Sequence, residues 1–210
     1  MANKREKEKR ESENAKKFYK NELKKLIIYV VSGGAFIAAA LLLCFCDFVY
    51  VDNPASGVEK SVNGWMFFRA FLSGNYTAID KSFGDLAVPF YYYAKNACET
   101  MGFFTFAAIM TSIVSVVFAI CFICANKGGV KKCSLWGASV CSAVSTVCFL
   151  ITFIAGLSVK NSKIVSDYCG NPACSIQSLA VFAALSSGAA TAFMVFALIK
   201  SIKTERRLLA

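Results

Sequence analysis

Charged residues separate this sequence into polar segments and four long windows that contain no Asp, Glu, Lys or Arg. The windows cover residues 26–46, 100–126, 133–159 and 168–199. A helix needs about 20 apolar residues to cross a bilayer, so each window predicts one transmembrane helix. Buried helices of a soluble all-α protein would show charged faces at helical spacing, and these windows show none. The pattern therefore predicts an all-α membrane protein with a four-transmembrane-helix bundle.

Composition agrees with this prediction. Apolar residues make up 57% of the 210 positions and charged residues only 17%, and the mean hydropathy is +0.54. Soluble domains carry more charge, and disordered chains lack the 14% of aromatic residues found here, so both classes are excluded. We predict a basic cytoplasmic stem at 1–25 and a membrane domain at 26–210. The spans of this domain are predicted at about 26–50, 100–125, 133–158 and 178–200. Its outer loops are predicted at about 51–99 and 159–177.

The positive residues predict the orientation, because Lys and Arg in short flanking loops resist translocation. The stem, the link at 127–132 and the tail after 199 hold seventeen of the 23 Lys and Arg residues. We therefore expect both termini in the cytoplasm of a cell-membrane protein and a large first extracytoplasmic loop. The first span is interpreted as an uncleaved signal anchor.

The net charge of +10 is explained by this topology, so nucleic acid is not an expected partner. The stem is interpreted either as a solvated helix or as a contact for acidic lipids next to the bilayer. The basic residues of the second interpretation are Lys16, Lys17, Lys20, Lys24 and Lys25.

Small residues at four-residue steps predict where the spans pack, because small side chains let helix backbones approach in lipid. The same faces are suited to a homo-oligomer or to another membrane protein as partner. The residues predicted to pack are Gly34, Ala38, Gly137, Ala184, Gly188 and Ala192.

Aromatic residues are concentrated in the first outer loop. The stretch VNGWMFFRAFLSG is too short to cross, so it is predicted to lie at the membrane interface, to cap the bundle, or to bind a partner. The residues of this predicted surface are Trp65, Phe67, Phe68, Phe71, Tyr91, Tyr92 and Tyr93. Asn75-Tyr76-Thr77 is a glycosylation sequon, and its modification would report on which side of the membrane this loop lies.

Ten cysteines are present and no histidine, which removes the commonest metal ligand. Cys169 and Cys174 flank an Asn-Pro turn on the predicted outer side, where they are either a loop disulfide or two free thiols. Cys121 and Cys124 form a C-x-x-C within an apolar helix end, which favours packing or lipidation over redox chemistry. We predict no catalytic residue, metal site or cofactor.

The overall plan resembles that of claudin-like proteins, but the loop offers one Trp, Trp65, and one cysteine, Cys98, where their Trp and Cys-Cys motif would stand. Cys44-Phe-Cys46 with Cys169 and Cys174 is similar in position to the two cysteine pairs of four-span thiol oxidases. The first pair is C-x-C rather than C-x-x-C, and no family is assigned.

Three functions follow in order of preference. The first is a non-enzymatic membrane protein that acts by lateral assembly or partner binding through its helix faces and aromatic loop. The second is a pore, efflux component or transporter subunit, which a continuous polar stripe shared by facing helices would favour. The third is a thiol-disulfide oxidoreductase.

Overall fold

The structure is a computed structural model that describes residues 2–53, 58–83, 94–125, 128–160 and 175–209. Its elements in chain order are α1 (Ala2–Leu43), β1 (Asp47–Asn53), β2 (Val58–Asn63), α2 (Gly64–Ser73), α3 (Thr77–Phe83), α4 (Lys95–Cys124), α5 (Gly128–Lys160), β3 (Ser175–Ser178) and α6 (Val181–Leu209).

Four of these helices are long and apolar enough to cross a membrane. The qualifying segments are Lys20–Leu43 of α1, Lys95–Cys124 of α4, Gly128–Val159 of α5 and Val181–Thr204 of α6. The prediction of a mostly helical protein with four helices of membrane-spanning length and hydropathy is confirmed. The first of these helices ends at Leu43, several residues before the predicted end of its span near residue 50.

The four long helices pack in an antiparallel order in which α4 contacts α5, α5 contacts α6, and α6 contacts α1. Contacts between α1 and α4 are fewer. An ion pair of 3.5 Å joins Lys200 Nζ to Glu22 Oε2, so the start of the apolar part of α1 and the end of α6 lie together. We call this end of the bundle the stem end.

A three-stranded antiparallel sheet covers the opposite end, which we call the sheet end. The strand order is β2-β1-β3, and β1 pairs through Val49–Asp52 with Ser175–Ser178 of β3. The sheet therefore joins the segment between α1 and α4 to the segment between α5 and α6. Val49, Val51 and Val62 are buried on its inner side. The sequence analysis did not predict this sheet.

The short helix α2 follows the sheet and packs on α4. Its first turn is capped by Asn63, whose Oδ1 accepts from the Met66 N–H at 2.9 Å, and it ends at Gly74 in the left-handed region with φ +64°. The backbone of α2 comes so close to Gly102 of α4 that a Cβ there would lie 3.3 Å from the carbonyl oxygen of Phe67. A glycine in α4 is what permits this approach.

The interior contains two apolar clusters. The sheet-end core holds large buried side chains, among them Phe48, Phe67, Met101 and Phe149. The stem-end core brings residues of all four long helices together; its members include Leu26, Val30, Ile37, Ala119, Phe122, Leu135 and Met194. Between the two cores lies a layer of hydroxyl-bearing side chains, which is described below.

The predicted packing faces need correction on α1 and α6. A Cβ on Gly34 would meet nothing within 4 Å and Ala38 is exposed, whereas a Cβ on Gly33 would lie 2.9 Å from Met194 Cε. The face of α1 that packs is therefore offset by one residue from the predicted face. Ala192 of α6 is likewise exposed.

The other predicted packing residues lie at helix contacts. Ala184 is buried in the sheet-end core. A Cβ on Gly137 would lie 2.8 Å from the Phe118 ring, and one on Gly188 would lie 3.7 Å from Thr146. These three positions bring α5 and α6 close to their neighbours.

Candidate functional site

A connected row of aromatic rings runs across the sheet end from the turn after α1 to α4. We call it the aromatic surface, and its members are Phe45, Trp65, Phe68, Phe71, Phe103 and Phe106. Trp65 contacts Phe45 at a centroid distance of 5.3 Å and Phe68 at 4.8 Å. The row continues through Phe106 and Phe71 to Phe103, with distances of 5.3 to 5.7 Å. All of these distances suit favourable ring–ring contacts.

One side of this row is not covered by described residues. Phe45 is 55% exposed, Leu72 of α2 is 66% exposed and Phe103 is 48% exposed. Three members of the predicted surface, Trp65, Phe68 and Phe71, therefore lie together. Phe67 does not belong to it, because its side chain is fully buried in the sheet-end core. Tyr91, Tyr92 and Tyr93 lie outside the described residues.

The aromatic stretch of the first outer loop does not include Phe45, which lies in the turn after α1, or Phe103 and Phe106, which lie in α4. A signal was present, since Phe103 and Phe106 are three residues apart and share a helix face. Their placement within an apolar window hid this signal, because a membrane helix is apolar on every side. Only the position of α2 against Gly102 shows which aromatic residues meet.

A cleft of about 330 Å³ lies beside the aromatic surface, between α2 and the segment that leads into α3. Its polar lining comes from Arg69, Ser73, Asn75 and Thr77. Asn75 is exposed, and its Oδ1 accepts from the Thr77 N–H at 2.9 Å, so the sequon forms an Asx turn at the surface. Nearby, burial is the main cause that raises the pKa of Tyr76, with a smaller contribution from the Glu99 carboxylate.

Hydroxyl groups of three helices meet in the middle of the bundle. We call this set the hydroxyl layer; it consists of Ser112 of α4, Ser145 and Thr146 of α5, and Ser187 and Thr191 of α6. Ser145 Oγ lies 2.7 Å from Ser112 Oγ and 3.2 Å from Ser187 Oγ. Thr146 Oγ1 lies 3.1 Å from Ser187 Oγ and 3.0 Å from Thr191 Oγ1.

The hydroxyl layer satisfies its own hydrogen bonds. Ser145 also donates to the carbonyl oxygen of Ala108 at 3.2 Å, and Thr191 donates to that of Ser187 at 3.0 Å. Ser112, Ser145 and Ser187 are at most 1% exposed. Buried hydroxyls that pair across helices are typical of membrane helix packing. The layer joins α4, α5 and α6, and α1 takes no part in it.

The predicted acidic-lipid residues lie on α1 at the stem end. Lys20, Lys24 and Lys25 are exposed, and Lys25 pairs with Glu22 at 3.0 Å. Lys200 of α6 lies 5.5 Å above the Tyr29 ring. Lys203 and Arg206 of α6 are exposed at the same end. The side chains of Lys16 and Lys17 lie outside the described part of the structure.

The cysteines whose side chains are described are unpaired, and Cys169 and Cys174 lie outside that set. Cys46 is exposed, whereas Cys44 is buried and donates to the carbonyl oxygen of Ala40 at 3.5 Å. Burial raises the pKa of the Cys44 thiol to about 12. Cys44 therefore holds its proton at neutral pH, which makes it a poor nucleophile. Cys121, Cys124 and Cys133 are all exposed near the stem end.

No group of three or more Cys, Asp or Glu residues suited to a metal ion occurs within the described ranges. Comparison with known protein families and with curated proteins finds no match to this chain.

Proposed function

We propose that this protein is a non-enzymatic membrane protein of the cell membrane that assembles laterally, with a second copy or with another membrane protein. The observation that carries the proposal is the open face of α1. Apart from its chain neighbours and the backbone of α1, no described residue has an atom within 4 Å of where a Cβ on Gly34 would stand, and Ala35 and Ala38 are exposed beside it. A face of small residues that the bundle itself does not use is suited to a further helix.

Other features of α1 agree with this role. Its contacts within the bundle are mainly with α6, where Ser186 Oγ donates to the carbonyl oxygen of Phe36 at 2.8 Å. The Phe36 ring stacks on Phe193 of the same helix at 5.6 Å. The side of α1 that carries Gly34 lies at the surface of the bundle. Contacts with lipid there do not compete strongly with contacts to a partner helix.

The test is chemical cross-linking and single-molecule photobleaching of the full chain in native membranes, with two variants matched in added volume. Gly34→Leu fills the open face, and Val140→Phe adds as many carbon atoms at an exposed position of α5. We expect Gly34→Leu to reduce the assembled fraction at least fivefold, with Val140→Phe close to the unmodified chain. An unmodified chain without any cross-linked partner would contradict the proposal.

The proposed orientation places the stem end in the cytoplasm and the sheet end outside. The exposed basic residues at the stem end support it, because such residues flank cytoplasmic helix ends. Asn75 gives the test, since its exposed sequon becomes glycosylated in microsomes only if the sheet end enters the lumen. Unmodified Asn75, together with modification of a sequon added to the tail, would reverse the assignment.

The second candidate is a pore or a transporter subunit, and the hydroxyl layer is the observation that favours it. Its members connect polar groups of facing helices, but they do so at one level of the bundle, between the two apolar cores. Their mutual hydrogen bonds and deep burial favour packing over conduction. Ser145→Cys separates the two, because a charged aqueous thiol reagent modifies this position quickly in a water-filled path and not in a dry core.

The third candidate, a thiol oxidoreductase, receives little support from Cys44. Exchange needs an accessible thiolate, and this thiol is buried with a raised pKa. A quinone-dependent change in the labelling of Cys44 and Cys46 would restore this candidate.

A further inference from the structure

The position of α2 along α4 fixes its depth relative to the membrane. Glu99 is an exposed carboxylate in the first turns of α4, and a charge of this kind stays outside the hydrocarbon core. Phe103 and Phe106 lie about 6 and 10 Å further along the helix axis, at a rise of about 1.5 Å per residue. The interfacial layer of a bilayer is about 5–8 Å thick on each side, so these rings reach the boundary of the core.

The helix α2 is held at the same depth. Phe68 and Phe71 contact Phe106 with centroid distances of 5.7 and 5.3 Å, and Phe71 contacts Phe103 at 5.5 Å. A Cβ on Gly102 would lie 3.2 Å from Phe71 Cβ, which shows how closely the two helices approach. The aromatic side of α2 is therefore continuous with the lipid-facing side of a membrane-spanning helix.

The residues of α2 are divided around its axis as an interfacial helix requires. Trp65, Phe68 and Leu72 share one face through their spacing of three and four residues. Phe67 and Ala70 are buried against the protein. Arg69 is exposed at the edge of the aromatic face, four residues after Trp65 and three before Leu72, where it borders the cleft and has no ion pair with another described residue.

From these contacts we infer that α2 is a membrane-surface anchor whose aromatic face is buried in the lipid leaflet at the sheet end. Trp65, Phe68 and Leu72 enter the region between the head groups and the acyl chains, and Arg69 extends to the lipid phosphates. Trp residues favour this layer because their rings combine an apolar body with a polar N–H. The occupant of the aromatic surface is thus lipid, and the anchor does not depend on lateral assembly through α1.

The sequence offers a direct test, because the chain has two tryptophans, Trp65 and Trp136. Trp136 lies half exposed on α5, one turn after Lys132, and serves as the reference for a ring on a membrane-spanning helix. The full-length chain is reconstituted as Trp136→Phe, which leaves Trp65, and as Trp65→Phe, which leaves Trp136. The bilayers contain phosphatidylcholine brominated near the start or near the end of one acyl chain, and acrylamide probes access from water.

We expect the emission of Trp65 to fall at least about twofold with bromine near the start of the chain, and less with bromine near its end. Strong quenching by acrylamide with none by brominated lipid would place the surface in water and overturn the inference. Protection from both quenchers would show that protein covers the ring, and this result would also overturn it.

A second measurement avoids substitution in case a variant fails to fold. The unmodified chain labelled with 5-fluorotryptophan gives two fluorine resonances, one for each tryptophan. Dissolved oxygen, which concentrates in lipid, should broaden the Trp65 resonance more than a water-soluble nickel chelate does. The reverse order would contradict the anchor.

Discussion

The hydroxyl layer and the aromatic surface both lie where α4 meets a neighbouring element, but they differ in how completely protein covers their side chains. In the hydroxyl layer every named side chain contacts another hydroxyl or a carbonyl oxygen, and its serines are at most 1% exposed. In the aromatic surface each ring contacts another ring, yet Phe45 and Phe103 remain about half exposed. We call the hydroxyl layer closed, because its polar groups are paired within the protein, and the aromatic surface open, because some of its rings remain exposed.

The difference arises because lipid can replace the apolar contacts of a side chain but not its hydrogen bonds. A hydroxyl in hydrocarbon finds no hydrogen-bond partner outside the protein, so a network of hydroxyls has to close on itself. An aromatic ring loses little when lipid or the interface replaces a protein neighbour. Closed regions of this protein should therefore respond strongly to substitution and open regions weakly.

The largest expected effect is chemical and concerns the two neighbouring cysteines at the sheet end. Cys44 is buried. Because the pKa of its thiol is about 12, roughly one thiol in 10,000 is ionised at pH 8. Raising the pH increases that fraction tenfold per unit, so even pH 9 leaves it small. We expect iodoacetamide to modify exposed Cys46 and to leave Cys44 intact, as measured by peptide mass spectrometry. Equal labelling of both at pH 8 would show that Cys44 is open.

In the hydroxyl layer, Ser145→Leu should lower the free energy of unfolding by about 3 kcal/mol. The larger side chain has no space beside Ser112 and Ser187, and it removes their shared partner. Steric trapping in bicelles measures the change. The control is Ser145→Ala, which keeps the space and should cost only about 0.6 kcal/mol. A loss below 1 kcal/mol for Ser145→Leu would mean that the layer is loosely packed.

At the base of the aromatic surface, Gly102→Val should weaken the attachment of α2 by about 2 kcal/mol. The new side chain meets the carbonyl oxygen of Phe67 and the Phe71 side chain. We expect faster hydrogen exchange in α2 with unchanged exchange in α5 and α6. Gly129→Val is the matched control, because a Cβ at that exposed position would meet nothing within 4 Å and Gly129 does not belong to the proposed assembly face. Equal exchange in both variants would contradict the close approach.

The smallest effect is expected on the open side of the aromatic surface. Leu72→Ala removes an apolar side chain that is 66% exposed, so the free energy of unfolding should change by no more than about 0.5 kcal/mol. The same steric-trapping assay measures it. A loss above 1 kcal/mol would show that protein, rather than lipid or solvent, covers Leu72.

The four long helices were predictable from sequence because their signal is an absence of charge over a length set by the bilayer. The packing face of α1 was not. Gly34 and Ala38 form a row of small residues at a four-residue step, whereas the residue four positions after Gly33 is Ile37, so small-residue spacing alone favours the Gly34 face. The contact of Gly33 with Met194 shows that the neighbouring face is the one that packs in the bundle.

The sheet was missed for a different reason. Val49, Tyr50, Val51 and Asp52 alternate as a strand does, but they closely follow an apolar window, and the predicted boundary near residue 50 divides them between the first span and the outer loop. Ser175–Ser178 carries no such alternation and becomes a strand only through its pairing with β1. Of the aromatic surface, the α2 residues could be foreseen, whereas their partners on α4 depend on how α2 lies across Gly102.

The pairing of β3 with β1 has a consequence for biosynthesis. Roughly 120 residues separate the two strands, and at about 5–20 residues per second a ribosome needs roughly 6–25 s to add them. During that interval β1 has one hydrogen-bonding edge without its native partner, and β2 occupies only the other edge. Because β3 lies between α5 and α6 in the chain, the sheet can be completed only after α4 and α5 have been synthesised, and α6 follows it.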